Sequence, residues 1–112
     1  MAARFVLSKG RGGKYFFSLK AGNGEVILAS QMYESHGNAL NGIASVKDNA
    51  GKDERFERLA SKKGEPYFVL KAANAQIIGK SEMYASARSR NNGIESVQRN
   101  APTALLDDRS SA

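Results

Sequence analysis

The stretch from Tyr15 to Ala50 reads YFFSLKAGNGEVILASQMYESHGNALNGIASVKDNA, and Pro66 to Ala101 repeats its pattern as PYFVLKAANAQIIGKSEMYASARSRNNGIESVQRNA. The copies align without a gap at an offset of 51 residues, which places Phe17 on Phe68. A unit of about 50 residues buries too little of its surface to be comfortably stable alone. The repeat therefore predicts two copies of one supersecondary unit that share a single core.

The composition is that of one ordinary globular domain, with 112 residues of which 41% are hydrophobic and 25% charged. The absence of cysteine excludes disulfides and thiolate metal ligands. Residues 1–9 carry neither a long apolar run nor a small-residue cleavage site, so we expect no signal peptide, no membrane span and a cytoplasmic protein. The net charge of +6 favours contact with polyanions without specifying one.

Two short β-forming runs open the first copy. Arg4 to Ser8 (RFVLS) ends at the glycine-rich Lys9-Gly10-Arg11-Gly12-Gly13, which is typical of a loop. Tyr15 to Lys20 then alternates with period two, so Phe17 and Leu19 face one way and Phe16 and Lys20 the other. We predict two strands joined by this loop.

A hairpin is expected next, because Asn23-Gly24 separates the second strand from the apolar run Glu25 to Ala29. The second copy has Asn74-Ala75 at this place. A turn that needs positive φ would cost Ala75 up to about 1 kcal/mol relative to glycine. We therefore expect that turn to be longer or differently shaped.

Each copy then predicts an amphipathic helix. Ser35 suits the N-cap, and Ala39, Ile43, Val46 and Ala50 recur behind it at spacings of three and four. Ser86, Ile94, Val97 and Ala101 repeat this arrangement. Gly42 and Gly93 interrupt the helices at equivalent positions, which indicates either a close approach to the sheet or a shorter helix.

The sequence predicts the secondary structure of the segments that follow the helices less clearly. Asp53 to Ala60 (DERFERLA) carries charges that also suit a helix, but the repeat favours a strand equivalent to the opening one. Thr103 to Leu106 can add a last strand, and we expect the polar residues 107–112 to fray.

Paired motifs give the sequence a family resemblance. LKAxN, SxMYxS and NGIxSVxxNA each occur twice, and together they resemble the YegP-like family of small tandem-repeat bacterial proteins over Arg4 to about Leu106. The resemblance implies an α+β fold in which two units of three strands, one helix and one strand form one antiparallel sheet and exchange their last strands. Both helices would cover one face, with pseudo-twofold symmetry between repeats at about 4–52 and 55–106.

The resemblance implies no activity, because the family is uncharacterised, and it supplies no catalytic residue, metal ligand or cofactor. It favours a monomer that is an internal pseudo-dimer. The residues agree with a protein that is not an enzyme: His36 is the only histidine, no acidic position recurs in both copies, and no Gly-x-Ser-x-Gly elbow occurs. Gly10 to Lys14 lacks Walker A spacing, so a hairpin loop explains it better than a phosphate loop.

Two hypotheses for function remain. The first is a non-enzymatic interaction module with an unknown protein partner. The second is weak, sequence-independent binding of single-stranded nucleic acid by aromatics and cations on the sheet face opposite the helices. The residues assigned to that contact are Phe16, Lys20, Tyr67 and Lys71, extended by the loop residues Lys9, Arg11, Lys14, Lys62 and Lys63. It requires that the final strands or a partner subunit leave this face open.

Overall fold

The computed structural model describes residues 2–111. Its strands are β1 (Arg4–Lys9), β2 (Tyr15–Lys20), β3 (Val26–Ala29), β4 (Phe56–Ala60), β5 (Pro66–Lys71), β6 (Ile77–Lys80) and β7 (Leu105–Asp108). The helices α1 (His36–Asn49) and α2 (Ala87–Asn100) follow β3 and β6, and short 3₁₀ turns lie at Arg11–Gly13, Asp53–Arg55 and Ala101–Thr103. This order confirms the tandem α+β unit predicted from the repeat.

All seven strands form one sheet in the order β4-β5-β6-β3-β2-β1-β7. The pseudo-twofold axis passes between β3 and β6, where Ala29 pairs with Lys80, its counterpart in the second copy. Apolar side chains from both copies and both helices belong to one buried cluster, which includes Phe17, Leu28, Phe68 and Val97. The two repeats therefore share a core.

The expected antiparallel sheet is corrected in one place, because β7 runs parallel to β1. The other neighbouring strands are antiparallel. Hairpins join four of these pairs, and β3 and β6 pair across the symmetry axis. β7 enters the sheet after α2 instead of after a hairpin, and a helical crossover permits parallel pairing. The sheet is therefore mixed.

The exchange of last strands occurs in one direction only. β7 of the second copy lies beside β1 of the first, whereas the first copy's equivalent residues, 54–57, form the end of a 3₁₀ turn and the first two residues of β4. The chain must continue from the first copy into the second, so these residues serve as the connection. As a result β4 is an edge strand and β1 is not.

The 53–60 segment and the C-terminal tail differ from expectation. Asp53–Arg55 forms a 3₁₀ turn and only Phe56–Ala60 is a strand. Residues predicted to fray are ordered instead: Asp107 and Asp108 belong to β7, and the Arg109 N–H donates to the Leu7 carbonyl at 2.8 Å. Ala112 lies outside the described residues.

Both helices start where the sequence predicts. The hydroxyl oxygens of Ser35 and Ser86 accept hydrogen bonds from the N–H groups of Asn38 and Ser89, each at 3.1 Å. A Cβ on Gly42 would lie 2.7 Å from Cζ of Tyr33. The helix glycines therefore admit a tyrosine ring between helix and sheet, which explains their recurrence.

The turn between β5 and β6 keeps the shape of its glycine-containing counterpart. Ala75 has φ +70°, close to the +86° of Gly24. The corresponding N–H groups donate to Ala72 and Ala21, each at 2.9 Å. The expectation of a longer or differently shaped turn is therefore wrong, because Ala75 adopts the positive φ that favours glycine.

Candidate interaction surface

One face of the sheet carries neither helix. The buried residues of both helices pack in one cluster with Phe17 and Leu19, so the alternate side chains of β2, namely Phe16, Ser18 and Lys20, lie on the opposite face. Register places further residues on this uncovered face: Arg4, Val6, Glu57, Leu59, Tyr67, Val69, Lys71, Ile77, Lys80, Leu105 and Asp107. Apolar and charged side chains are mixed there.

The structure separates the two aromatic residues of the predicted nucleic-acid contact. Phe16 lies on β2 and Tyr67 on β5, with β3 and β6 between them. Three strand spacings of about 4.8 Å put the two strands about 14 Å apart. Both side chains are only partly exposed. They do not form one continuous stacking surface.

Carboxylates accompany several of the predicted cations. Lys71 forms an ion pair with Glu57 across β4 and β5. Lys14 Nζ lies 3.2 Å from Glu34 Oε1. The Lys80 ammonium, which the sequence reasoning missed, sits 5.2 Å from the ring centroid of Tyr67 and covers part of that aromatic. The uncovered face is thus less basic than the composition indicates.

The basic loops do not extend one surface. Lys9, Arg11 and Lys14 lie at the β1–β2 connection, and Lys62 and Lys63 lie at the β4–β5 connection. The antiparallel pairings through the sheet make β4 run opposite to β1. The two loops are therefore at opposite ends of the sheet.

The single histidine ties α1 to β7. His36 Nε2 lies 2.7 Å from Asp108 Oδ2, and its ring packs edge-on against Tyr15 with centroids 5.6 Å apart. Hydrogen bonds from Ser110 and His36 lower the pKa of Asp108 from 3.8 to about 2. His36 thus has a structural contact that the sequence could not assign, because Asp108 lay in the predicted tail.

The other ionisable groups with shifted pKa values also have structural causes for the shift. Burial raises the pKa of Tyr33 and of Tyr84, so both hydroxyls stay protonated at neutral pH. Hydrogen bonding to Arg109 lowers the pKa of Asp107, which stays ionised. Within residues 2–111 there is no grouping of three or more His, Cys, Asp or Glu side chains that could hold a metal. None of these groups has a pKa moved towards neutrality, as a general acid or base at pH 7 requires.

An open groove of about 390 Å³ lies between α1 and the β5–β6 hairpin. Its lining is rich in neutral polar groups, with Asn38, Asn41 and Ser45 from the helix facing Asn74 and Gln76 from the hairpin. It is shallow and holds no charged side chain.

The two ends of the sheet differ around equivalent arginines. Arg4 Nε lies 3.7 Å from Asp107 Oδ2 of β7. Arg55 occupies the matching position before β4. The Nε atoms of both arginines are buried without a hydrogen-bond partner among the described residues, so the difference between them is the carboxylate of Asp107 near Arg4. Arg58 replaces the core residue Leu7 and lies within 3.4 Å of Asp53. The repeat contained this signal, because arginine recurs at positions 4 and 55.

Comparison with known proteins identifies the family. A sequence profile described as a domain of unknown function, DUF1508, matches residues 11–57 and 61–108. The chain belongs to the DUF1508 family. Both copies of the DUF1508 pattern thus fall in one chain, and the YegP-like resemblance is confirmed.

DUF1508 relatives match nearly the whole chain. A UPF0339 protein of Acinetobacter baylyi is 52% identical, with 96% of this chain and 97% of the relative covered. The YegP protein of Escherichia coli K12 is 50% identical over 96% of this chain and 98% of its own. These relatives are themselves uncharacterised, as their UPF0339 designation states.

Solved DUF1508 structures have the same fold. The solution structure of E. coli YegP, described as a protein of unknown function, superposes with a TM-score of 0.94 at 48% identity, covering 100% of this chain and 97% of YegP. A UPF0339 protein of Shewanella oneidensis gives 0.93 at 46% identity, covering 99% and 94%. In the described part of this chain, no helix has the length and apolar character to cross a membrane.

Proposed function

We propose that this DUF1508 protein is a non-enzymatic, cytoplasmic interaction module that binds another protein through the uncovered side of its sheet. The observation that supports this most is the one-sided covering of a seven-stranded sheet, which leaves a large face of mixed apolar and charged side chains in contact with water. Such surfaces commonly serve as binding sites.

Exposed apolar residues mark this side of the molecule. Ile77 pairs with Lys71 and shares the uncovered face, and its side chain is 49% exposed. Leu105, paired with Arg4 on the same face, is 63% exposed. Val6 on β1 and Val69 on β5 share this face and are buried although no helix covers them, so neighbouring side chains shield parts of the face. The result is an apolar surface with charged neighbours, typical of a protein contact.

Affinity capture with matched variants tests the proposal. Ile77→Lys places a charge on the uncovered face, and Ala44→Lys places the same charge on an exposed position of α1. Quantitative mass spectrometry of proteins retained by the immobilised chain should show a companion lost with Ile77→Lys and kept with Ala44→Lys. Retention of the same proteins by both variants would contradict a contact through this face.

Nucleic-acid binding is the second candidate, favoured by the net charge of +6 and by Lys20 and Lys80, which form no ion pair among the described residues. It predicts that single-stranded oligonucleotides are retarded at low salt and released steeply as salt rises. Lys20→Glu should weaken that retardation. An unshifted oligonucleotide at low salt would remove this candidate.

A further inference from the structure

The outer edge of β4 is a vacant strand position whose filled equivalent is present in the same molecule. β1 and β4 correspond at the 51-residue offset, and β7 lies in parallel beside β1. Among the described residues no strand pairs with β4 on the side away from β5. The β1–β7 pair therefore shows what a strand bound at this edge would look like.

The backbone of β4 offers hydrogen-bonding groups at this edge. Phe68 uses its own N–H and C=O on the Ser81 hydroxyl and the Ser81 N–H, each at 2.9 Å. Its partner Arg58 is therefore in a non-hydrogen-bonded pair, and the Arg58 N–H and C=O point outwards. At the equivalent Leu7, the carbonyl accepts from Arg109 behind β7. The Phe56 N–H is already bonded to the Asp53 carbonyl, so strand addition would begin after that residue.

The β4 edge keeps the arginine of the filled edge, as Arg55, and adds a second one, Arg58, where the filled edge has Leu7. In the β1–β7 register, Asp107 lies opposite Val6 and close to Arg4, and Asp108 lies opposite Leu7. At β4 the positions equivalent to Arg4, Val6 and Leu7 hold Arg55, Glu57 and Arg58, and the Glu57 carboxylate is already ion-paired with Lys71. A strand with two consecutive acids would bring one carboxylate to each arginine, and charge-assisted hydrogen bonds of this kind are strong.

We propose that the β4 edge binds an extended acidic segment of another protein, which adds as a parallel strand with an apolar-apolar-acid-acid pattern resembling Leu105–Asp108. This inference rests on the proposed interaction module and names its partner class. A second copy of this chain is a poorer occupant, since its own β7 would have to leave β1 and lose the His36–Asp108 contact. Strand addition at an exposed sheet edge is a known mode of peptide recognition.

A peptide probe tests the proposal on the full chain. The peptide TALLDDR, copied from residues 103–109, is titrated into ¹⁵N-labelled protein and compared with TALLNNR. We expect amide shifts at Phe56–Ala60 with TALLDDR and at least tenfold weaker binding of TALLNNR. Shifts centred on β1, equal affinity for both peptides, or no shift at millimolar peptide would each overturn the proposal.

Variants separate the charge from the backbone contact. Arg55→Gln should weaken TALLDDR binding at least tenfold, whereas Arg99→Gln, on an exposed position of α2, should leave it unchanged. Arg58→Pro removes an outward N–H as well as the charge, and an edge strand tolerates proline at such a position. It should abolish binding, whereas Arg58→Gln should only weaken it. Should Arg58→Pro fail to give a native spectrum, the Arg55→Gln comparison decides alone.

Failure of this inference is distinguishable from failure of the interaction module. If a companion captured by the wild-type chain is retained by Arg55→Gln and Arg58→Gln but lost with Ile77→Lys, the partner binds the uncovered face and the β4 proposal is wrong. A concentration-dependent dimer with altered β7 amides would show that the β4 occupant is a second copy, and would also overturn it.

Discussion

The substitution Gly42→Ala tests whether helix propensity or packing dominates at this position, because the two effects change the free energy of unfolding in opposite directions. In an open helix, alanine stabilises by about 1 kcal/mol over glycine. At Gly42, however, the added Cβ would lie 2.7 Å from Tyr33 Cζ and 3.0 Å from Phe17 Cε2. Forcing an extra carbon into a packed core costs about 1–3 kcal/mol.

The tyrosine has little room to move. Its ring stacks on Phe17 with centroids 6.0 Å apart and 12° between the planes, and its backbone N–H and C=O both bond to Tyr15. We therefore expect the packing cost to prevail, so that Gly42→Ala lowers the free energy of unfolding by up to about 2 kcal/mol once the gain in propensity is subtracted.

Urea denaturation with a matched control measures this effect. Gly37 lies in the same helix with nothing within 4 Å of an added Cβ, so Gly37→Ala should be neutral or stabilising. In a Tyr33→Leu background the contact with the tyrosine ring is absent and only the 3.0 Å approach to Phe17 Cε2 is left, so adding Gly42→Ala should cost less than it does in the wild-type chain. A stabilising Gly42→Ala in the wild-type chain would refute the account of the helix glycines.

Three further predictions follow from the turn, the symmetry axis and β7. Ala75→Gly should raise the free energy of unfolding by about 0.5–1 kcal/mol and Gly24→Ala should lower it, both measured by urea denaturation, since the two turns share positive φ. Gly79→Ala should destabilise by about 1–3 kcal/mol, because its Cβ would lie 2.6 Å from Leu28 Cγ, and Leu28→Ala should remove that penalty in a double-mutant cycle. The pKa of Asp108 is depressed in the folded state, so its stabilisation is present above pH 4 and is lost as pH falls towards about 2; Asp108→Asn should flatten acid unfolding in that window.

Local signals predicted the elements well. Alternation in Tyr15–Lys20, the serine N-caps and the three-and-four spacing in the helices each depend on residues close in sequence, and the copies reinforce one another. Local signals were insufficient for the segment Asp53–Ala60. Its alignment with the first strand of the other copy predicted a strand, but the 3₁₀ turn arises because the chain must pass from one unit to the next.

The arrangement of segments that are distant in the chain could not be predicted from the sequence. The strand order, which puts β3 and β6 between Phe16 and Tyr67, follows from pairing across the symmetry axis and leaves no local trace. The parallel direction of β7 depends on the crossover through α2 in the same way. A difference between the copies did carry information: Arg58 stands where Leu7 is buried, which is typical of an edge exposed to water.

The shared apolar cluster predicts that both copies of the repeat unfold as one cooperative core across β3 and β6. Amide hydrogen exchange at increasing sub-denaturing urea measures whether they do. The slowest amides of β2 and those of β5 should exchange with the same free energy and the same urea dependence, through one global opening. Exchange of one copy at a clearly lower free energy, while the other stays protected, would contradict the shared core.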